Sequence, residues 1–371
     1  MKFGGYKIVL QKKPNFTGVE AAVISILAIL FALFLVGFIF LQAGVDPAKG
    51  YGEIFSYAFI NTFGVPLTVN RAIFLLLCTF AFIVPMRAGL WNIGMAGQLY
   101  AGALGAFAVA FAFGARSNPD GIRAGIVLPL MILGAMIGGG LMGFIPGLLK
   151  GKFNTNEIVV TMMLNFIAFW LTAHMIKEGG PFMGSGGEGE GYKLPASLQP
   201  GLFLGMPFTV WFALGLAFLL HFLFAKTRIG YQIRAFGSNP AAARYAGISP
   251  FKISLLVFVV GGVIAGLAGY HYFATVSGLY NIPKNYGDFG DLAFYGIICG
   301  LISQGNPLAA IPLALLFGGL TSGGRFVQGK LQLGFGIDYA MLGVLMIILV
   351  AFQFFFRYRI VLKKESLSRN E

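Results

Sequence analysis

Polar side chains set inside long apolar runs are where this sequence could do chemistry, because a polar group within a bilayer is costly unless it is paired or wet. Two groups stand out. In the glycine-punctuated stretch 89–98, Asn92 and Gln98 sit where regular helix is weakened, which is how transporters offer backbone and amides to polar solutes. Further on, Glu157, Thr161, Asn165, Ala168 and Thr172 recur at i, i+3/i+4 spacing and form one stripe that points into a bundle. The same amides would equally serve helix-to-helix hydrogen bonds, and Asn154 with Glu157 reads as an N-cap followed by a helix-starting acid. Trp91 and Trp170 offer faces on which a purine or pyrimidine could stack, against the commoner packing and lipid-facing roles of aromatics.

Enzyme chemistry finds no residues to carry it. His174, His221 and His271 are solitary, with no His or Cys at metal-ligand spacing and no HExxH, so a metal centre has no ligand set. No GxSxG or grouped Ser/His/Asp pattern occurs. Residues 184–189 match GxGxxG by letter, but no strand precedes them and no helix follows. A phosphate-cradling P-loop is missing too, since Gly151-Lys152 is followed by Phe153 and Gly329-Lys330 by Leu331.

The elements that position these residues are membrane helices. The chain has 371 residues, of which 57% are hydrophobic and 11% charged, against about 25% charged in soluble domains. A helix needs about 20 apolar residues to cross a bilayer, and ten stretches qualify, at about 20–41, 66–86, 90–113, 124–148, 157–176, 206–224, 253–274, 288–303, 307–323 and 338–356. The eighth and ninth are short and read as tilted half-spans or a re-entrant hairpin. The 54 glycines carry no period, which points to close backbone packing between helices. Cys78 and Cys299 lie in apolar runs and read as small buried hydrophobes. The first apolar run follows a basic arm, so it reads as a retained anchor and not a cleaved signal. The expected fold is therefore an all-α integral membrane protein of about ten transmembrane helices. It forms a single domain over 1–371, with an arm at 1–19, an outer loop at 177–205, an inner loop at 225–250 and a tail at 357–371.

The net charge of +13 is an orientation signal. With both termini in the cytoplasm, Lys and Arg favour the inner side by about two to one, the outer side nets to zero, and the excess lies inside. The charge therefore gives no reason to expect a nucleic-acid partner. Three prolines and a Gly/Glu run make loop 177–205 irregular and solvated, suited to facing an extracytoplasmic partner. Within loop 225–250, Asn239 can cap, Pro240 suits the first helical position, residues 241–246 are mostly good helix formers, and Gly247 can take the left-handed stop. So short a helix gains stability by packing against something else.

Several stretches resemble one family. Residues 230–240 (GYQIRAFGSNP) and 242–248 (AARYAGI) are similar to the cytoplasmic coupling segment of ABC importer permeases for simple sugars, nucleosides and branched-chain amino acids. Residues 87–94 (RAGLWNIG) with Gly97-Gln98, 156–159 (NEIV) with 163–165 (MLN), and Gly300-Leu301 with 306–308 (NPL) resemble its nucleoside-type branch. Ala96 departs from the pattern, standing where such permeases usually carry a glutamate.

The resemblance implies a type II importer permease in the bacterial cytoplasmic membrane. Two such subunits, copies or paralogues, would line one pathway, two cytoplasmic ATPases would bind the ATP, and an extracytoplasmic lipoprotein would deliver the solute. This subunit would need no cofactor of its own. It assigns Arg234, Gly237, Asn239, Ala242, Ala243, Arg244, Tyr245 and Gly247 to ATPase coupling, while Trp91, Asn92, Gln98, Thr161 and Asn165 are the pathway candidates. Nucleosides lead as substrate, then simple sugars and riboflavin. An ion-coupled carrier is the rival reading, although ion relays generally use intramembrane acids and none falls at mid-membrane depth on this span map.

Overall fold

In the computed structural model, the described residues are 2–3, 6–12, 18–177, 179–185, 189–334 and 336–364. Lys13, Glu178, residues 186–188 of the GxGxxG match, and the tail from Glu365 onward, Arg369 included, lie outside them. The elements begin with strands β1 (Lys2–Phe3) and β2 (Tyr6–Lys12) and helices α1 (Gly18–Gln42), α2 (Pro47–Phe59), α3 (Gly64–Arg87) and α4 (Met95–Ala112). Next come α5 (Ala124–Phe153), α6 (Glu157–Ile176), a small hairpin β3 (Leu202–Phe203) and β4 (Met206–Pro207), α7 (Phe208–Lys226), α8 (Arg228–Ser238) and α9 (Pro240–Tyr245). The chain continues through α10 (Pro250–Tyr270), α11 (Gly287–Ile302), α12 (Pro307–Lys330), α13 (Ile337–Arg357) and β5 (Tyr358–Lys364).

The expected ten apolar stretches fall on α1, α3–α7 and α10–α13, but they are not ten equivalent spans. Among the described residues seven helices are long and apolar enough to cross a membrane. The first stretch lies within α1, and a bend of 112° follows it, between Ile26–Gln42 and Pro47–Phe59, across a turn in which Gly44 takes φ +74. The ninth stretch is longer than expected, with 24 residues in α12, while α11 has only 16. Small sheets also depart from an all-α fold. β1 and β5 flank β2 in a three-stranded antiparallel sheet, and β3 pairs with β4.

Two compact units result, Met1–Gly52 with Val327–Glu371, and Glu53–Phe326. In the first, α1 packs along α13. The second is built around α3, whose most apolar window is 83% buried, whereas the same windows of α5, α6 and α7 are 28%, 22% and 33% buried. The outer faces of these three helices are therefore left for lipid or a partner. Glycine sets a close crossing between α5 and α10. A Cβ at Gly139 would overlap the Gly262 carbonyl, and one at Gly266 the Ala135 carbonyl, so backbones meet directly as in other small-residue membrane interfaces. Helix α10 runs on as a π-turn, His271–Thr275, where the buried His271 contacts Thr209 Oγ1 at 2.6 Å and the Asn70 carbonyl at 3.0 Å.

Loop 177–205 is more ordered than a solvated linker. Tyr192, Leu194 and Leu198 are buried, the Gly191 and Leu194 amides donate to the carbonyls of Ile282 and Tyr280, and the Tyr192 hydroxyl donates to the Phe107 carbonyl at 2.6 Å. Burial pushes the Tyr192 phenol pKa up.

Candidate functional site

The irregular segment 88–94 between α3 and α4 exists because Gly89 takes φ +72, a conformation that ends α3 and that side-chain-bearing residues avoid. Its polar groups are satisfied from within. Asn92 Nδ2 donates to Gln98 Oε1 at 2.9 Å and to the Ala81 carbonyl at 3.2 Å, while Gln98 Nε2 donates back to Asn92 Oδ1 at 3.2 Å. Both residues are buried, so their amides brace the break.

Asn165 on α6 holds the same break from the other side, accepting from the Gly97 amide at 2.7 Å and donating to the Ile93 carbonyl at 2.9 Å. One turn earlier Thr161 is fully buried and donates to the Glu157 and Ile158 carbonyls. A Cβ on Gly94 would lie 2.9 Å from Thr161 Cβ, so threonine and glycine are a packing pair. The stripe from Glu157 to Thr172 thus faces inward, with Glu157 paired to Lys150 Nζ at 3.0 Å. The helix cap is Asn156, whose Oδ1 accepts from the Ile158 amide at 3.0 Å. Asn154, expected in that role, instead closes α5 in the left-handed region, φ 51.

A cavity of about 520 Å³ opens where α4, α6 and α11 converge. Ala96 and Tyr100 come from α4, Asn165, Phe166, Phe169 and Trp170 from α6, and Asp288, Asp291 and Phe294 from α11. The aromatic wall is layered: Phe169 lies 4.9 Å from Tyr286 and 5.4 Å from Trp170, ring to ring. The hydroxyls of Tyr100 and Tyr286 donate to the carbonyls of Tyr286 and Phe169, so Tyr100 lines the cavity with its hydroxyl already engaged and Tyr286 backs Phe169 from behind the wall. Asp288 is held by Asn285 Nδ2 at 3.1 Å and by Arg325 at 3.8 Å, whereas Asp291 is exposed. Gly290 between them permits this approach, since a Cβ there would strike the Tyr100 hydroxyl. Aromatic faces beside carboxylates and one amide suit a flat or ring-shaped solute rich in hydroxyls.

Of the five pathway candidates only Asn165 lines this cavity. Trp91 lies elsewhere, edge-on to Phe82 at 5.7 Å. Sequence reasoning missed the aspartates as site residues. The available signal was the Asp-x-x-Asp spacing 288–291 at the head of an apolar stretch, which places two carboxylates on one helix face.

Loop 225–250 folds as two helices. Thr227 caps α8, accepting from the Gly230 amide at 3.0 Å, and α8 buries Gly230, Ile233 and Phe236. Asn239 Oδ1 accepts from the Ala242 amide at 3.0 Å, and Gly247 takes φ +81, as the sequence expects. Ala242, Arg244 and Tyr245 are exposed, Tyr245 by 95%. Ala243, expected on the docking face, is instead buried at 3%, and Arg234 is half-buried. Gly237 presses α8 onto the end of α3: a Cβ there would overlap the Arg87 carbonyl, and one on Gly89 would lie 3.2 Å from the Gly237 carbonyl. Loop 225–250 therefore touches the turn that opens segment 88–94.

Apolar helices too numerous for a soluble fold, a solute-sized cavity beside a broken helix, and an exposed capped helix on one connecting loop define a multi-pass membrane transport protein. Residues 67–350 match the family described as branched-chain amino acid transport system / permease component, and the chain belongs to that family. It is 31% identical to the glucose ABC transporter permease protein TsgB13 of Haloferax volcanii, over 90% of this chain and 88% of that one. It is 30% identical to the nucleoside ABC transporter permease protein NupB of Lactococcus lactis subsp. cremoris, over 81% and 83%. To the guanosine ABC transporter permease protein NupP of Bacillus subtilis it is 31% identical, over 81% and 84%. As a member of a permease family the chain is a transport component and not an enzyme.

Proposed function

We propose that the chain is the permease subunit of an ATP-driven ABC importer, moving nucleosides or a related sugar-containing solute across the cytoplasmic membrane. The observation that carries this reading is the exposed, capped helix α9, with Arg244 and the 95% exposed Tyr245 on a surface its own chain leaves uncovered. A cytoplasmic ATPase is the partner that binds this surface and supplies the ATP. In this reading the ten apolar stretches make about ten crossings in a type II arrangement, seven of them by helices long and apolar enough to cross unaided, and the charge bias puts both termini inside. The outward apolar faces of α6 and α7 support a second permease subunit, a copy or a paralogue, and an extracytoplasmic binding lipoprotein delivers the solute.

Closure of the ATPase pair moves α9, α8 transmits the motion through the Gly237–Gly89 contact, and segment 88–94 re-forms against Asn165 at the cavity wall. The aromatic wall and Asp291 favour a nucleoside, with a base to stack and ribose hydroxyls to donate. Simple sugars and riboflavin are the alternatives. Cross-linking tests the docking surface. In the assembled complex Tyr245→Cys should couple to a cysteine in the ATPase cleft, and failure to cross-link while uptake persists would refute the docking.

Asp288 and Asp291 on the cavity wall favour one second reading, an ion-coupled carrier, because such carriers place acids beside the solute. Uptake that survives a protonophore and a sodium ionophore while ATP is maintained excludes it.

A further inference from the structure

We propose that Arg87 is a positioning residue for transport, the point at which a movement of α8 is passed to α11 and so to the aspartates of the cavity wall; this rests on the permease reading above. Arg87 ends α3, and α8 closes on its surroundings through two glycines. A Cβ at Gly237 would overlap the Arg87 carbonyl, and one at Gly230 would overlap the Leu223 carbonyl and lie 2.7 Å from Phe224 Cα. Phe224 is buried near the end of α7, and the Arg87 guanidinium lies over its ring, 5.4 Å from the centroid. Contacts of backbone on backbone hold no flexible side chain to absorb a push, so a displacement of α8 reaches Arg87 directly.

The same side chain reaches α11. Arg87 Nε donates to the Gly305 carbonyl at 2.8 Å, in the turn that joins α11 to α12. That turn is shaped for the approach: Gln304 and Gly305 take φ 52 and 70, and a Cβ at Gly305 would lie 2.9 Å from Arg87 Nε. The Gly305 amide donates to the Gly300 carbonyl at 3.0 Å, which fastens the turn to the last residues of α11. Along its length α11 leans on α3 through glycines as well, since Cβ atoms at Gly296 and Gly300 would lie 2.8 Å from Cys78 Cβ and 2.6 Å from Phe82 Cδ1. Small residues resist a push but interlock little against a slide, so the Arg87–Gly305 bond sets where α11 rests along α3. From Asp291 to the end of α11 is about three helical turns, roughly 16 Å, and a helix of that length carries a shift at the turn to Asp288 and Asp291. A guanidinium donates through Nε while its plane covers a ring, a pairing that an ammonium does not reproduce. Through its carbonyl Arg87 borders segment 88–94, held by Asn165 of α6, and through its side chain it holds α11, so two walls of the cavity take their position from one residue.

Spin labels in the assembled complex test this, since Cys78 and Cys299 are buried. One label sits at Ser117→Cys, after α4, and the other at Lys284→Cys, before α11, both exposed positions. The distance between them should differ between the nucleotide-free and the vanadate-trapped complex. Arg87→Lys should abolish that difference and lower uptake about tenfold, while the ATPase is still retained in a pull-down and the thermal midpoint of the permease is unchanged. Phe224→Leu, which leaves the hydrogen bond in place, should reduce the difference without abolishing it. A full difference in Arg87→Lys overturns the proposal, and should that variant not fold, a full difference in Phe224→Leu overturns it. An unsubstituted complex that takes up solute with ATP at one unvarying label distance also overturns it and leaves the permease reading standing. Failure of the ATPase to bind the unsubstituted chain overturns that reading, and this proposal with it.

Discussion

Asn165 is the residue on which the cavity and the helix break converge. Its two hydrogen bonds tie α6 to the Ile93 carbonyl and the Gly97 amide, and a typical bond contributes about 1 kcal/mol net. Asn165→Ala should therefore lower stability by roughly 2 kcal/mol, read as a lower thermal midpoint of the purified chain, and should lower uptake as well. Asp291→Asn separates recognition from folding. Its side chain is exposed and lines the cavity, so melting should not change while half-saturation for solute rises about tenfold, in line with loss of a charged hydrogen bond worth about 1.5 kcal/mol. An unchanged half-saturation would remove Asp291 from the site. Asn92 and Gln98 show how far residue type alone reaches. Rare amides in apolar runs marked the segment where α3 gives way to α4, but that the two amides bond to one another depends on the fold of a loop.

At the scale of elements, α9 was readable because its signals are local: a capping Asn, a Pro, three alanines and a Gly follow in order. Helix α8 was not, since its apolar positions Ile233 and Phe236 are separated by charged and small residues and gain meaning only against α3. The cavity was unreadable for a similar reason, because it needs the long-range meeting of α4, α6 and α11. The terminal sheet pairs residues at opposite ends of the chain, which no local pattern reveals. Two substitutions follow for this layer. Tyr245→Ala removes a side chain that is 95% exposed, so the permease should stay within about 0.5 kcal/mol of its stability and lose ATPase binding in a pull-down. Gly237→Ala forces a Cβ into the Arg87 carbonyl; the ATPase should still bind, but stimulation of hydrolysis by receptor and solute should fall roughly fivefold or more. Normal stimulation would show that coupling does not run through the α8–α3 contact.

At the scale of the whole molecule, the family match makes the chain a transport component, and the proposed assembly supplies its partners. On the proposed reading the +13 excess puts both termini in the cytoplasm; the sparsely buried α5, α6 and α7 leave apolar faces outward, and α9 stands exposed on loop 225–250. A reporter fused after residue 371 should be accessible only from the cytoplasm. The most direct measurement is solute accumulation in proteoliposomes. With partner permease, ATPase, binding protein and internal-side ATP, labelled nucleoside should accumulate, and it should not accumulate when ATP is replaced by a non-hydrolysable analogue. Accumulation by this chain alone, driven by an ion gradient without ATPase, would contradict the account.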